Sequence, residues 1–134
     1  NPMTINDLAR TIERADELGI LTIVCSNEES DTRAIASLKP DCMVCELTSL
    51  IGTGTTADDS YMRATNEIVR SVSPTTKTLQ AAGISTGEDV YKAIRSGADA
   101  TGGTSGIVAA PDPIAKLDEM LEALDRARTD FYSK

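Results

Sequence analysis

The chain has 134 residues, a formal net charge of −8 and a pI near 4.5, which is enough for one domain with a modest core. Nothing basic would track a phosphate backbone, which excludes a nucleic-acid groove, and no apolar run approaches the ~20 residues that a membrane span needs. No signal peptide opens it and three cysteines (Cys25, Cys42 and Cys45) suggest no disulfide framework, so a soluble, reduced, cytoplasmic protein is expected.

In chain order, Thr4-Ile5-Asn6-Asp7 has capping-box spacing, with Asp in place of the usual Glu. A leading helix should follow with Ile5, Leu8, Ile12, Ala15 and Leu18 inward, and Gly19 should stop it. Residues 20–25 are nearly all apolar and rich in β-branching, as in a strand buried on both faces. Residues 26–31 read as a loop, 32–38 as a short helix ended by Lys39-Pro40-Asp41, and 41–46 as a second buried strand. Asp58-Asp59 then place negative charge at a helix start. Met62, Thr65, Ile68, Val69 and Val72 form that helix's inner stripe, and Ser73-Pro74 closes it. Residues 77–82 form a third strand, and Ser85 and Glu88 are spaced as a capping box before Val90, Ala93 and Ile94. Gly97 stops that helix, residues 99–104 make a weak fourth strand, and Ser105-Gly106 turn it into a loop. Pro111-Asp112-Pro113 open a last helix with Ile114, Leu117, Leu121 and Leu124 inward, and residues 129–134 are expected to fray. One helix followed by four βα units predicts a single α/β unit, residues 1–134, with a parallel sheet and right-handed crossovers. Four βα units are also half of an eightfold barrel.

The stretch around which these elements are arranged is Cys42-Met43-Val44-Cys45-Glu46, followed by Leu47-Thr48-Ser49-Leu50-Ile51-Gly52-Thr53-Gly54. It puts a carboxylate at the carboxyl end of a buried strand, where parallel α/β sheets place their chemistry. Taken alone, Glu46 is equally a helix cap or a solvated loop residue, and a Gly/Thr loop is a common turn. The combination says more. Three successive strands end in uncharged Gly/Ser/Thr loops, at Gly52-Thr53-Gly54, Gly83 and Thr104-Ser105-Gly106. Backbone N–H groups converging from several such loops form phosphate sites. A base beside an anion cradle suggests proton transfer on a small phosphorylated substrate. Cys42 and Cys45 spell C-x-x-C, but three positions along a strand point to opposite faces, and the chain has no histidine to complete a tetrahedron. They read as small buried hydrophobes, and Tyr61 and Tyr91 read as helix packing residues.

Residues 45–54 resemble the catalytic-glutamate and flexible-loop signature of triosephosphate isomerase, in the shorter form typical of archaea and related bacteria. Residues 81–90 resemble that form's following phosphate loop, residues 21–25 its fifth strand, and Asp112-Pro113 its way of opening the last helix. The resemblance implies an isomerase of glycolysis and gluconeogenesis with Glu46 as catalytic base. It assigns phosphate binding to Gly52, to Gly83 and Ile84, and to Thr104 and Ser105. The closing loop would comprise Leu47, Thr48, Ser49, Leu50, Ile51, Thr53, Gly54 and Thr55 around Gly52. It implies no cofactor and no metal, and a triose phosphate as substrate.

Two differences stand out. The family also uses a lysine from its first strand and a histidine from the end of its fourth, whereas this chain has no histidine and aligns from the family's fifth strand onward. The family's proline after the glutamate is Leu47 here. The resemblance is therefore to the C-terminal half of a TIM (β/α)8 barrel, and the expected partner is the N-terminal half or another copy of the chain, as a homo-oligomer. The chain begins Asn1-Pro2, which fits either an added segment before a start at Met3 or a piece of something longer. Two other readings stay open: a non-catalytic phosphate-binding half barrel, and a folding or design fragment.

Overall fold

Thr4 starts the first helix as its spacing predicts, with its hydroxyl accepting the Asp7 N–H. The computed structural model describes residues 3–132. The elements are α1 (Ile5–Glu17), β1 (Ile23–Ser26), α2 (Glu29–Ala36), β2 (Cys42–Cys45), α3 (Asp59–Val72), β3 (Lys77–Gln80), α4 (Gly87–Arg95), β4 (Ala100–Thr101), α5 (Ser105–Val108) and α6 (Pro113–Tyr132). The strands form one parallel sheet in the order β1-β2-β3-β4, the α/β alternation that the sequence predicts.

Two aspartates staple neighbouring strands at their amino ends. The Asp41 carboxylate accepts both the N–H and the hydroxyl of Thr22, at 2.7 and 2.9 Å. Asp99 accepts the Thr78 N–H at 3.0 Å and pairs with Lys77. The two faces of the sheet differ. Met43, Cys45 and Gln80 are fully buried beneath the helices, and Met43 and Cys45 pack with Ala36 and Val69. Alternate residues point the other way. On that face Cys42, Val44, Leu79 and Ala100 are only half-buried, and Ile23 is 68% exposed. Cys42 and Cys45 lie on opposite faces, as the strand reading requires, and no acidic, histidine or cysteine cluster among the described residues could hold a metal.

The structure corrects several sequence expectations. The first strand begins at Ile23 rather than at 20, and it is an edge strand: Leu21 is 80% exposed, so burial on both faces is not realised. On α1 only Ile12 is buried, while Ile5 and Leu18 are exposed. Helix α2 starts three residues earlier than predicted because Glu28 and Asp31 make a capping box of their own. The box before α4 is Thr86 with Asp89, one residue beyond the predicted pair, and Glu88 instead meets Arg126 on α6. The fourth strand is two residues long, and Ser105-Gly106 belong to the short helix α5 rather than to a loop.

The largest correction concerns α6. It buries Met120, Ala123 and Ala127 and leaves Ile114, Leu117, Leu121 and Leu124 exposed. Polar contacts to α4 set this rotation. The Glu119 carboxylate accepts the Gly87 N–H at 2.7 Å, and Gly87 lets the helices close, since a Cβ there would lie 2.9 Å from the Glu119 carbonyl oxygen. Further along, Arg126 stacks over the Tyr91 ring and Asp130 accepts the Tyr91 hydroxyl. Phe131 packs on the same ring, and residues 129–132 of the segment expected to fray are helical, while 133–134 lie outside the described residues.

Backbone N–H donation lowers several carboxyls: Thr22 acts on Asp41, Tyr61 on Asp58 and Gly87 on Glu119. At Asp99 burial pushes upward, and the Thr78 N–H and Lys77 outweigh it. The unfolded chain therefore binds more protons near ordinary carboxylate values, and the stability these groups contribute is lost as pH falls through them. Thermal unfolding followed by circular dichroism should show a midpoint that drops from about pH 5 downward, less steeply in Asp41→Asn than in the parent. A midpoint independent of pH between 7 and 3 would contradict the staples' contribution.

Candidate functional site

At the carboxyl ends of the strands a cavity of about 370 Å³ gathers the predicted residues. Glu46, Gly52, Gly83, Ile84, Thr104 and Ser105 all line it, together with Ile51 and Gly103. Glu46 follows the last residue of β2 and is half-buried, and its N–H is bonded to the Ser26 carbonyl, which continues the β1–β2 ladder one step. By strand alternation it lies on the same face as Val44, the face without covering helices.

The loops around it approach closely. The Ile84 carbonyl oxygen lies where side chains would otherwise sit: a Cβ on Gly103 would be 2.6 Å from it, and one on Gly106 2.3 Å. Gly83 meets the end of the 47–55 loop in the same way, with a Cβ position 1.9 Å from the Thr55 oxygen. Ala82 (φ 66°) and Gly83 (φ 72°) are consecutive left-handed residues, and this reverses the chain sharply after β3. For alanine that conformation costs about 1 kcal/mol.

The 47–55 segment is not a uniform lining. Leu47 and Leu50 pack against Ala57, Met62 and Ala93, whereas Ser49, Thr53, Gly54 and Thr55 are exposed. Only Ile51 and Gly52 of this segment line the cavity. Thr48 is held from the residue that follows β1: the Asn27 side-chain oxygen accepts its N–H at 2.9 Å and its hydroxyl at 2.6 Å. Tyr61 on α3 donates to the Asn27 carbonyl at 2.6 Å, so it is an anchor as well as a packing residue. Leu47 sits at φ −69°, the value that a proline ring would impose.

Sequence reasoning missed Asn27 and Gly103, and it placed Gly106 in a converging loop without its packing role. Asn27 lay in a stretch read only as polar loop, and the two glycines matter through approach distances that no local pattern carries. Cys25 was also unassigned. It shares a second, more apolar cavity of about 640 Å³ with Glu46, Val24, Ile35 and Leu8. Burial, then the charge and hydrogen bond of Glu46, push its thiol above the ordinary value.

Four parallel strands with alternating helices and a site of loops at their carboxyl ends define an α/β unit of the TIM-barrel kind. No family model matches the chain. Curated relatives do. It is 35% identical over 122 residues to the triosephosphate isomerase of Methanosarcina mazei, covering 89% of this chain and 55% of that one. The Methanopyrus kandleri triosephosphate isomerase is 36% identical over 126 residues, covering 92% and 56%. The chain is thus a relative of the triosephosphate isomerases, and it spans about half the length of the curated relatives it matches, consistent with a C-terminal half. Solved structures share the fold at lower identity. The Amycolatopsis orientalis BexX/CysO complex matches 95% of this chain and 49% of its own at TM-score 0.73 and 19% identity. A native KDPGal structure matches 90% and 56% at TM-score 0.68 and 14% identity. No helix among the described residues is long and apolar enough to cross a membrane.

Two outcomes test this geometry. Gly83→Ala should destabilise the chain by about 2 kcal/mol or more, because it combines left-handed strain with a clash on backbone, and urea unfolding would measure it. Glu46→Gln should speed iodoacetamide labelling of Cys25 at pH 8, since it removes one cause of the raised thiol and leaves burial in place. Peptide mapping separates Cys25 from Cys42, and an unchanged Cys25 rate would place Glu46 away from it.

Proposed function

We propose that this chain carries the base and the phosphate cradle of a triosephosphate isomerase, as one α/β unit, residues 1–134, equivalent to the C-terminal half of the barrel. The observation that supports this is the single cavity in which Glu46 meets loops 52–54, 83–85 and 104–106. In this reading the Glu46 carboxylate takes a proton from the carbon beside the carbonyl of glyceraldehyde 3-phosphate or dihydroxyacetone phosphate. The enediolate that forms then accepts the proton back on the neighbouring carbon, while the hydroxyl proton passes from the former alcohol oxygen to the former carbonyl oxygen. Gly52, Gly83, Ile84, Thr104 and Ser105 offer N–H groups to the phosphate. Loop 47–55 closes over the intermediate, excludes water and prevents loss of the phosphate.

Proton abstraction also puts negative charge on the substrate oxygen, and a donor must meet it. The cavity lining contains no lysine, arginine or histidine. The donor, and the strands that cover the half-buried face of the sheet, would come from an N-terminal half or from a second copy. The exposed β1 edge and the uncovered Val44–Leu79 face are surfaces for that partner to meet.

A coupled assay tests the proposal, using the chain alone and the chain co-expressed with the first half of the Methanosarcina mazei enzyme. Turnover should appear in the combination and fall by at least about a hundredfold with Glu46→Gln. Activity that survives this substitution removes Glu46 as the base. A combination that binds triose phosphate without turnover would instead favour a non-catalytic phosphate-binding protein.

A further inference from the structure

Loop 47–55 is tied at both ends and organised between them. Asn27 holds its start at Thr48. Within the tip, the Thr53 hydroxyl donates to the Leu50 carbonyl at 2.8 Å and accepts the Thr55 N–H at 3.1 Å. Gly52 and Gly54 supply the left-handed turns, at φ 77° and 71°. The tip is therefore a small preformed unit, and any swing must occur at its two ends.

The far end is held from α4. The Lys92 ammonium donates to the Ala57 carbonyl at 2.7 Å, lies 3.3 Å from the Thr56 hydroxyl oxygen, and is 3.5 Å from Asp59. Arg95 takes the other Asp59 oxygen at 2.8 Å and keeps that carboxylate in place. The Lys92 side chain is only 24% exposed. A charge-assisted bond to a backbone carbonyl in this partly dry position outweighs an exposed ion pair. Ala57 itself is buried against Met62 and Ala93, and Thr55 rests on Gly83. The loop end is thus clamped between α4 and the 83–85 loop.

We propose that Lys92 is a positioning residue: by fixing Thr56 and Ala57 it sets the pivot of the loop tip, and with it where the Gly52 N–H reaches over the Glu46 cavity. This rests on the reading of 47–55 as a closing loop over a phosphate site. The test compares Lys92→Met, which keeps the stem and removes the charge, with Lys92→Arg in the 134-residue chain. It reads amide hydrogen exchange by residue and a titration with inorganic phosphate. Lys92→Met should exchange about tenfold faster at residues 50–58, with β2 and β3 unchanged, and bind phosphate about tenfold more weakly. Lys92→Arg, which still reaches a carbonyl, should recover most of both. Thr56→Val, which removes one acceptor and keeps the charge, should move the same amides by a smaller factor and serves if Lys92→Met does not fold. Exchange within twofold of the parent at 50–58 in Lys92→Met, or in Thr56→Val where Lys92→Met does not fold, overturns the proposal. If phosphate fails to bind even the parent chain, the phosphate reading of the cavity fails, while the exchange data still decide the clamp.

Discussion

The candidate site depends on one crowded point, the Ile84 carbonyl lodged against Gly103 and Gly106. A side chain at either glycine would occupy the oxygen's position, and the 83–85 and 103–106 loops would have to separate. The Thr55 carbonyl on Gly83 repeats the arrangement on the other side of the cavity. The three loops thus meet backbone to backbone around the space beside Glu46.

The parallel sheet and the identity of the residues around the cavity were legible because they follow from local signals. Apolar β-branched runs mark the strands, though β1 shows that they do not say how far each is buried, and Gly/Thr turns mark their carboxyl ends. Glu46, Gly52, Gly83, Ile84, Thr104 and Ser105 meet in one cavity because parallel strands bring all carboxyl ends to one side. What stayed hidden depends on tertiary choices between near-equal local options. Ser85/Glu88 and Thr86/Asp89 both have capping-box spacing. Asp89 receives the N–H groups of both Ser85 and Thr86, and Glu88 is left to reach Arg126. Periodicity could name the apolar stripe of α6 but could not say which way the helix turns, because Glu119, Arg126 and Asp130 decide that through their partners on α4. Asn27 carried no pattern at all.

Leu47 illustrates how a sequence difference and a structural similarity coexist. It lacks the ring that the family's proline would bring, yet it holds a proline-like φ, and its side chain is packed with Ala57, Met62 and Ala93. The neighbouring Thr48 is bonded twice to Asn27. A restraint that a ring would make covalently is here spread over packing and hydrogen bonds. Unlike a ring, it weakens when either partner moves.

The rotation of α6 gives it two sides that obey different rules. One side meets α4 through small residues and polar clasps, where added volume has no room. The other carries Ile114, Leu117, Leu121 and Leu124 in the open, with Leu121 51% exposed, and contributes little to holding this chain together. Mutational drift on the two sides should therefore be uncoupled. The α4-facing side is constrained in every setting in which the chain folds, whereas the leucine side answers only to whatever it touches beyond the chain. A survey of tolerated substitutions along this one helix would separate folding from assembly residue by residue.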